Sequence, residues 1–309
     1  MHLPPLPDSA VLVDALHAAY GRHANRRAMH PEGLSALGRF VPAQGLSAFI
    51  DSAFFSVPSM PAVFRFSVGG GDPRLSEASR TVRGMGVQMK AVGQQYDLAL
   101  ISEPVFCAAT PHSFLAYLRA HAPDPMSGLP NPGKIATHRA AYPGESRQCA
   151  LLASHTAPAS YATTPYYSTH AFWFVGKQGK LSAARILAYP DVGVKYLSLA
   201  EESHLPGRFL VREMDERLLH GPIGFTLYAI LPAAQDSLDD CSQEWLGTES
   251  LMLGRLQVEA LCDDDHGLCF IPTRLPSNMA ASADPVLAAR GDAYELSELQ
   301  RTIDRHLSR

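Results

Sequence analysis

Apolar residues first recur at helical spacing near the amino end. Leu12, Leu16, Ala19 and Tyr20 share a face, Asp8 or Ser9 can cap it, and Gly21 can end it. From Gly33 onward the texture changes to short strand-like runs. Alternation is clearest over residues 62–68 (AVFRFSV), and further strands are predicted at 86–90, 95–101, 170–176, 181–189, 224–231 and 255–261. Turn residues separate them, including Gly69-Gly70-Gly71-Asp72-Pro73. Such spacing predicts an antiparallel sheet or barrel and not a βαβ fold. Helical spacing returns at 111–119 and 210–220. It returns again at 284–306, where Asp284 caps, Pro285 takes the first position, and Leu287, Arg290, Tyr294 and Arg301 follow. Residues 121–165, rich in Pro, Gly, Ser and Ala, read as a long wrapping connection with one short helix.

Composition narrows the class. The 309 residues are 46% hydrophobic and 18% charged, which excludes intrinsic disorder. A formal charge of −4 argues against a nucleic-acid partner. The longest apolar runs, such as 225–234, fall far short of the ~20 residues of a membrane span. The first residues lack a basic stretch followed by an apolar one, so a cytoplasmic location is expected. Five cysteines with no C-x-x-C spacing disfavour a disulfide scaffold or a zinc site, and most are expected to be buried thiols. A chain of this length can bury a sizeable core and enclose a cofactor.

Three segments could carry chemistry. Arg290 and Tyr294 lie four apart on one helix face, with Arg301 seven further on. A guanidinium one turn from a phenol favours the phenolate, which can bind ferric iron; alternatively the Tyr packs on the core beside two solvated arginines. On the strand 62–68, Arg65 and Ser67 share the face opposite Phe64 and Phe66, and are either solvated or site-lining. His30 follows Arg27 and Met29, while His23 is an equally good candidate on composition. The glycine run at 69–71 lacks the spacing of a nucleotide loop. The acidic run Asp263-Asp264-Asp265-His266 could attract a cation, or be a solvated turn.

In this order the segments resemble the haem catalase superfamily, and more closely its short bacterial branch, the catalase-related peroxidases. The resemblance runs from about residue 13 to about residue 301. It is carried by Val13-Asp14-Ala15-Leu16, Arg27-Ala28-x-His30-x-x-Gly33, Arg65-Phe66-Ser67-Val68 and Arg83-Gly84-Met85-Gly86-Val87. Further blocks are Tyr96-Asp97-Leu98, His170-Ala171-Phe172 and Asp284-x-x-Leu287-x-x-Arg290-x-x-x-Tyr294. It implies an α+β fold over 1–309: one domain, an antiparallel β-barrel with surrounding helices enclosing haem b. It implies Tyr294 as the iron ligand, Arg290 as the group holding that ligand as phenolate, and His30 as the distal base oriented by Ser67. Arg27, Arg65 and Arg301 match arginines that pair with haem propionates. Met29 takes the place of an apolar residue over the ring, and Phe114 matches a Phe near the distal face.

The sequence departs from the larger catalases in ways that shape the expected activity. Where they carry a distal Asn, this chain has Ile101 and Ser102. It also lacks their long amino-terminal arm and carboxyl-terminal extension, which implies a monomer or small homo-oligomer. The resemblance therefore implies a haem peroxidase with weak catalase activity, using hydrogen peroxide or organic hydroperoxides and a small-molecule reductant. Two alternatives stay open: a hydroperoxide isomerase or lyase similar to the allene oxide synthases, and a non-catalytic haem carrier or sensor.

Overall fold

The computed structural model describes residues 6–205, 208–263 and 267–307. The first helix, α1 (Ser9–Tyr20), begins where the Asp8 carboxylate accepts the Ala10 N–H and ends at Gly21, whose φ of 87° suits glycine. Its buried face is Leu12, Val13, Leu16 and Ala19.

Strands β1 (Gly33–Pro42), β2 (Met60–Val68), β3 (Arg83–Ala91) and β4 (Gln94–Ile101) follow. After the helices α2 (Pro111–His121), α3 (Pro132–Ala141) and α4 (Arg147–Ser154) come β5 (Tyr166–Val175) and β6 (Leu181–Pro190). Helices α5 (Leu199–His204) and α6 (Phe209–Leu218) lead to β7 (Ile223–Ile230), β8 (Ser250–Cys262) and β9 (Met279–Ala281). The long α7 (Pro285–Leu307) closes the described chain. All pairings are antiparallel, in the order β4-β3-β2-β1-β8-β7-β6-β5-β9. Strands β4 and β5 pair through Ile101 and Tyr167, so eight strands form a closed barrel and β9 attaches beside β5.

All seven strands read from alternation are present, with bounds shifted by a few residues. Two others lay outside that reading. β9 is three residues long, too short to show a period. β1 is interrupted at Gly38, where its register to β8 shifts; a Cβ at Gly38 would collide with the Gln257 carbonyl. The wrapping connection holds two helices in place of one. Each buries a single residue, His138 in α3 and Gln148 in α4, so neither shows an apolar stripe. Two cysteines of five are buried, Cys107 and Cys241, fewer than expected, while Cys149 is exposed. Asp264, Asp265 and His266 of the acidic run lie outside the described residues. Among the described residues no helix is long and apolar enough to cross a membrane.

The barrel interior is packed with side chains. Phe66 is fully buried against Tyr161, Tyr166 and Phe225, with ring centroids 5.5–6.0 Å apart, and stacks 6.3 Å from Phe64. Replacing Phe66 by Ala is expected to cost about 3–5 kcal/mol of unfolding free energy in urea titrations. A loss under 1 kcal/mol would mean that this ring is not part of the barrel core.

Candidate active site

The alternation of β2 divides two environments. Phe64 and Phe66 enter the barrel, while Arg65 and Ser67 point out of it yet are only 5% and 4% exposed. Helices α1, α2 and α7 pack against one another over this part of the wall. Between them and the strands lies a largely apolar cavity of about 300 Å³. All nine residues singled out from the sequence line it: Arg27, Met29, His30, Arg65, Ser67, Phe114, Arg290, Tyr294 and Arg301. His23 is not among the lining residues; its ring nitrogen bonds the Tyr20 carbonyl.

His30 is held from three sides. Its backbone takes a φ of 55°, rare for a residue with a Cβ, and its N–H donates to the Gly70 carbonyl at 2.7 Å. Its Nδ1 lies 3.0 Å from the Ser67 hydroxyl. A Cβ on Gly84 of β3 would sit 2.6 Å from that hydroxyl and 2.9 Å from Nδ1, so only glycine leaves room for the ring. Burial, helped by the charges of Arg65, Arg290, Arg27 and Arg83, pulls the imidazole down to about 3. The ring is therefore a neutral base at ordinary pH.

Tyr294 belongs to a connected chain of polar groups. Arg290 donates Nη2–H to its hydroxyl at 2.8 Å and Nη1–H to Nε2 of His170, also at 2.8 Å. An arginine cannot accept, so His170 Nε2 is the acceptor and its proton sits on Nδ1. That proton faces the Asp284 carboxylate at 2.7 Å. Burial holds His170 down to about 4, and its hydrogen bond holds Asp284 below the usual carboxylate range. The same carboxylate caps α7, accepting from Val286 and Leu287 at 2.8 and 3.3 Å.

His170 reaches this position through a bulge. The β5–β6 register shifts between Tyr167 and Ala171, and Thr169 takes a φ of 56°. Ser168 repairs the broken ladder: its hydroxyl donates to the His170 carbonyl and accepts the Ile186 N–H. His170, Cys241 and Asp284 lie close enough together to suggest a metal site. Both His170 nitrogens are already engaged, so no imidazole lone pair remains for an ion.

Cations gather at the cavity wall. Arg27 and Arg301 both donate to the Leu268 carbonyl, at 3.0 and 3.2 Å, and Arg301 pairs with Glu298. Arg65 Nη2 reaches the Pro31 carbonyl at 3.3 Å. A phenol backed by arginine, a neutral imidazole and three guanidiniums thus share one apolar cavity. That set suits a flat cofactor bearing carboxylates.

A sequence model of the family described as Catalase matches residues 4–217. The chain belongs to the catalase family. It is 32% identical over 300 residues to the catalase-related peroxidase of Synechococcus elongatus, covering 94% of this chain and 88% of that one. It is 30% identical over 306 residues to the catalase-related peroxidase of Mycolicibacterium paratuberculosis, covering 97% and 96%. Catalase A from Saccharomyces cerevisiae superposes with a TM-score of 0.82 at 21% identity, covering 97% of this chain and 66% of that chain. A fungal catalase gives 0.81 at 21% identity, covering 97% and 64%. Family membership implies haem. The match to the family model ends before α7, so Arg290 and Tyr294 are tied to the site by the geometry above.

Several residues of this catalase-family site escaped the sequence reading of roles. His170 and Asp284 appeared only as motif letters and as a helix cap; their partnership spans 114 residues. Asp97 appeared the same way. Its buried carboxylate accepts from Ile271 N–H and Arg274, both at 3.0 Å, and so fixes the segment that brings Phe270 into the cavity. At the departure site, Ile101 lines the cavity, while the Ser102 hydroxyl turns to the Arg83 N–H and Glu103.

Two outcomes follow from this geometry. Gly84→Ala is expected to displace the His30 ring and lower the rate of reaction with peroxide by roughly 10²-fold in stopped-flow mixing; a rate within twofold of wild type would contradict the packing. Because His170 is neutral when folded but takes up a proton near ~6.5 when unfolded, it favours the unfolded chain progressively below that pH. Its share of the stability lost between pH 7 and pH 5 is about 2 kcal/mol. In His170→Gln, urea titrations at the two pH values should show a loss smaller by that amount.

Proposed function

We propose that this chain is a haem peroxidase of the catalase family. It would bind haem b through iron, reduce hydrogen peroxide or an organic hydroperoxide with a small-molecule reductant, and dismutate peroxide weakly. Residues 1–309 would act as one haem-binding domain, as a monomer or small homo-oligomer. The observation that carries this reading is the pairing of an arginine-backed phenol with a neutral imidazole in one apolar cavity.

The residues present suit a porphyrin. Apolar lining from Met29, Ile101, Phe114, Phe270 and Val286 suits its faces, and Arg27, Arg65 and Arg301 suit its two carboxylates. Tyr294 would ligate iron, and Arg290 would keep the phenol ionised. Bound haem supplies the redox chemistry that accepts the two oxidising equivalents of a peroxide. The chain's own part is proton handling. His30 takes the proton from the nearer peroxide oxygen and delivers it to the farther one, so that the leaving group departs as water or an alcohol. Ser67 holds the ring for both transfers.

Ile101 supports the preference for an external reductant. A peroxide acting as reductant has no amide at that position to orient it, whereas an aliphatic wall favours a hydroperoxide with an apolar tail.

The test is spectral and kinetic. Haem-loaded protein should show a high-spin ferric phenolate spectrum that is lost in Tyr294→Phe. His30→Phe should slow peroxide-dependent dye oxidation by roughly 10²–10⁴-fold. Full activity in both variants would refute the assignment. Consumption of a fatty-acid hydroperoxide without any reductant would favour the isomerase, and rapid loss of haem to apo-myoglobin would favour the carrier.

A further inference from the structure

A row of aromatic rings leads away from the cavity, and beyond Phe114 it has no part in the chemistry above. It starts at Phe106 and Phe114, 5.2 Å apart, and continues to Tyr117, stacked 6.4 Å from Phe114. Tyr117 lies on α2 and lines the cavity. Beyond it are His121 at 4.0 Å and His138 of α3 at 5.7 Å, and His138 lies 4.9 Å from the ring of Tyr142. Tyr142 is partly exposed at the end of α3. One imidazole therefore separates a phenol in the cavity wall from a phenol at the surface.

We propose that Tyr117 and Tyr142 form a second oxidation site, at which a bulky aromatic reductant gives up its electron without entering the cavity. The inference rests on the peroxidase reading, because the peroxide-oxidised cofactor is the oxidant. In the first step Tyr117 loses one electron to that cofactor and one proton to a base, leaving a neutral phenoxyl radical. His138 provides the base: it is nine-tenths buried, in ring contact with Tyr117, and its Nε2 has no hydrogen-bond partner among the described residues. In the second step Tyr142 gives one electron to Tyr117 and its proton to His138, which hands the proton it held back to Tyr117, so that Tyr142 becomes the radical. A donor at the surface then gives Tyr142 one electron while His138 returns the proton, and two such cycles deliver two electrons to the cofactor with His138 back in its starting state each time. Burial holds the Tyr117 phenol far above its usual range, so it enters the cycle protonated. Imidazole is much harder to oxidise than phenol, which makes His138 a proton acceptor and bridge and not a radical site.

The surface at Tyr142 suggests the class of donor. Helix α3 exposes Lys134 and Arg139 and carries no acidic residue, so an anionic aromatic donor is favoured there. ABTS, a bulky aromatic dianion, is a suitable probe.

The experiment combines radical trapping with ABTS kinetics on haem-loaded protein. One equivalent of hydrogen peroxide is added in the presence of a nitroso spin trap, and the adducts are mapped by peptide mass spectrometry. Wild type should carry adducts at Tyr117 and Tyr142, Tyr142→Phe at Tyr117 only, and Tyr117→Phe at neither. ABTS oxidation should fall at least fivefold in both variants, while Tyr228→Phe on the far side of the barrel stays at the wild-type rate. Two results would each overturn the inference: a wild-type cofactor spectrum that responds to peroxide with no adduct at either tyrosine, or ABTS rates in both variants within twofold of wild type. A wild-type spectrum that does not respond to peroxide would overturn the peroxidase reading, and this inference with it.

Discussion

The Asp284 carboxylate is the point on which the site turns. One oxygen starts α7 by accepting two of its free N–H groups; the other orients His170. His170 in turn fixes Arg290, and Arg290 meets Tyr294 one helical turn on. Helix and barrel are thus joined by the same carboxylate that anchors the hydrogen-bond chain to the phenol. A buried carboxylate without such partners would be costly, and here its bonds both start α7 and hold the histidine that fixes Arg290.

The barrel supplies the other half of the constraint. Its interior is filled, so the chemistry is built on its outer wall, where alternation alone puts Arg65 and Ser67 on one side and Phe64 and Phe66 on the other. The seam between β4 and β5 lies beside the site: Ile101 pairs across it with Tyr167 and lines the cavity, and the bulge that turns His170 toward α7 follows at once. Left-handed backbone occurs there at Thr169 and again at His30, where side chains must point in directions that a regular strand would not give.

Lining the cavity with arginines beside a neutral histidine has a consequence for acid–base chemistry. Desolvation and positive charge act in the same direction on His30 and keep it unprotonated. Basicity toward a proton and attraction toward an anion are thereby divided between different side chains of one cavity.

The sequence by itself located most of the elements and put two of the cavity's polar groups on one helix face. Alternation located seven strands, the Asp-Pro start located α7, and spacing put Arg290 and Tyr294 on one face, because these signals are local and periodic. It could not decide between a solvated and a site-lining Arg65, since that depends on whether helices cover the outer face of β2. Nor could it show that His170 and Asp284 are partners, that Gly84 makes room for an imidazole from another segment, or that Tyr117 and Tyr142 flank one histidine. Those are contacts between residues distant along the chain, and only barrel closure and the docking of α1, α2, α3 and α7 bring them within reach of one another.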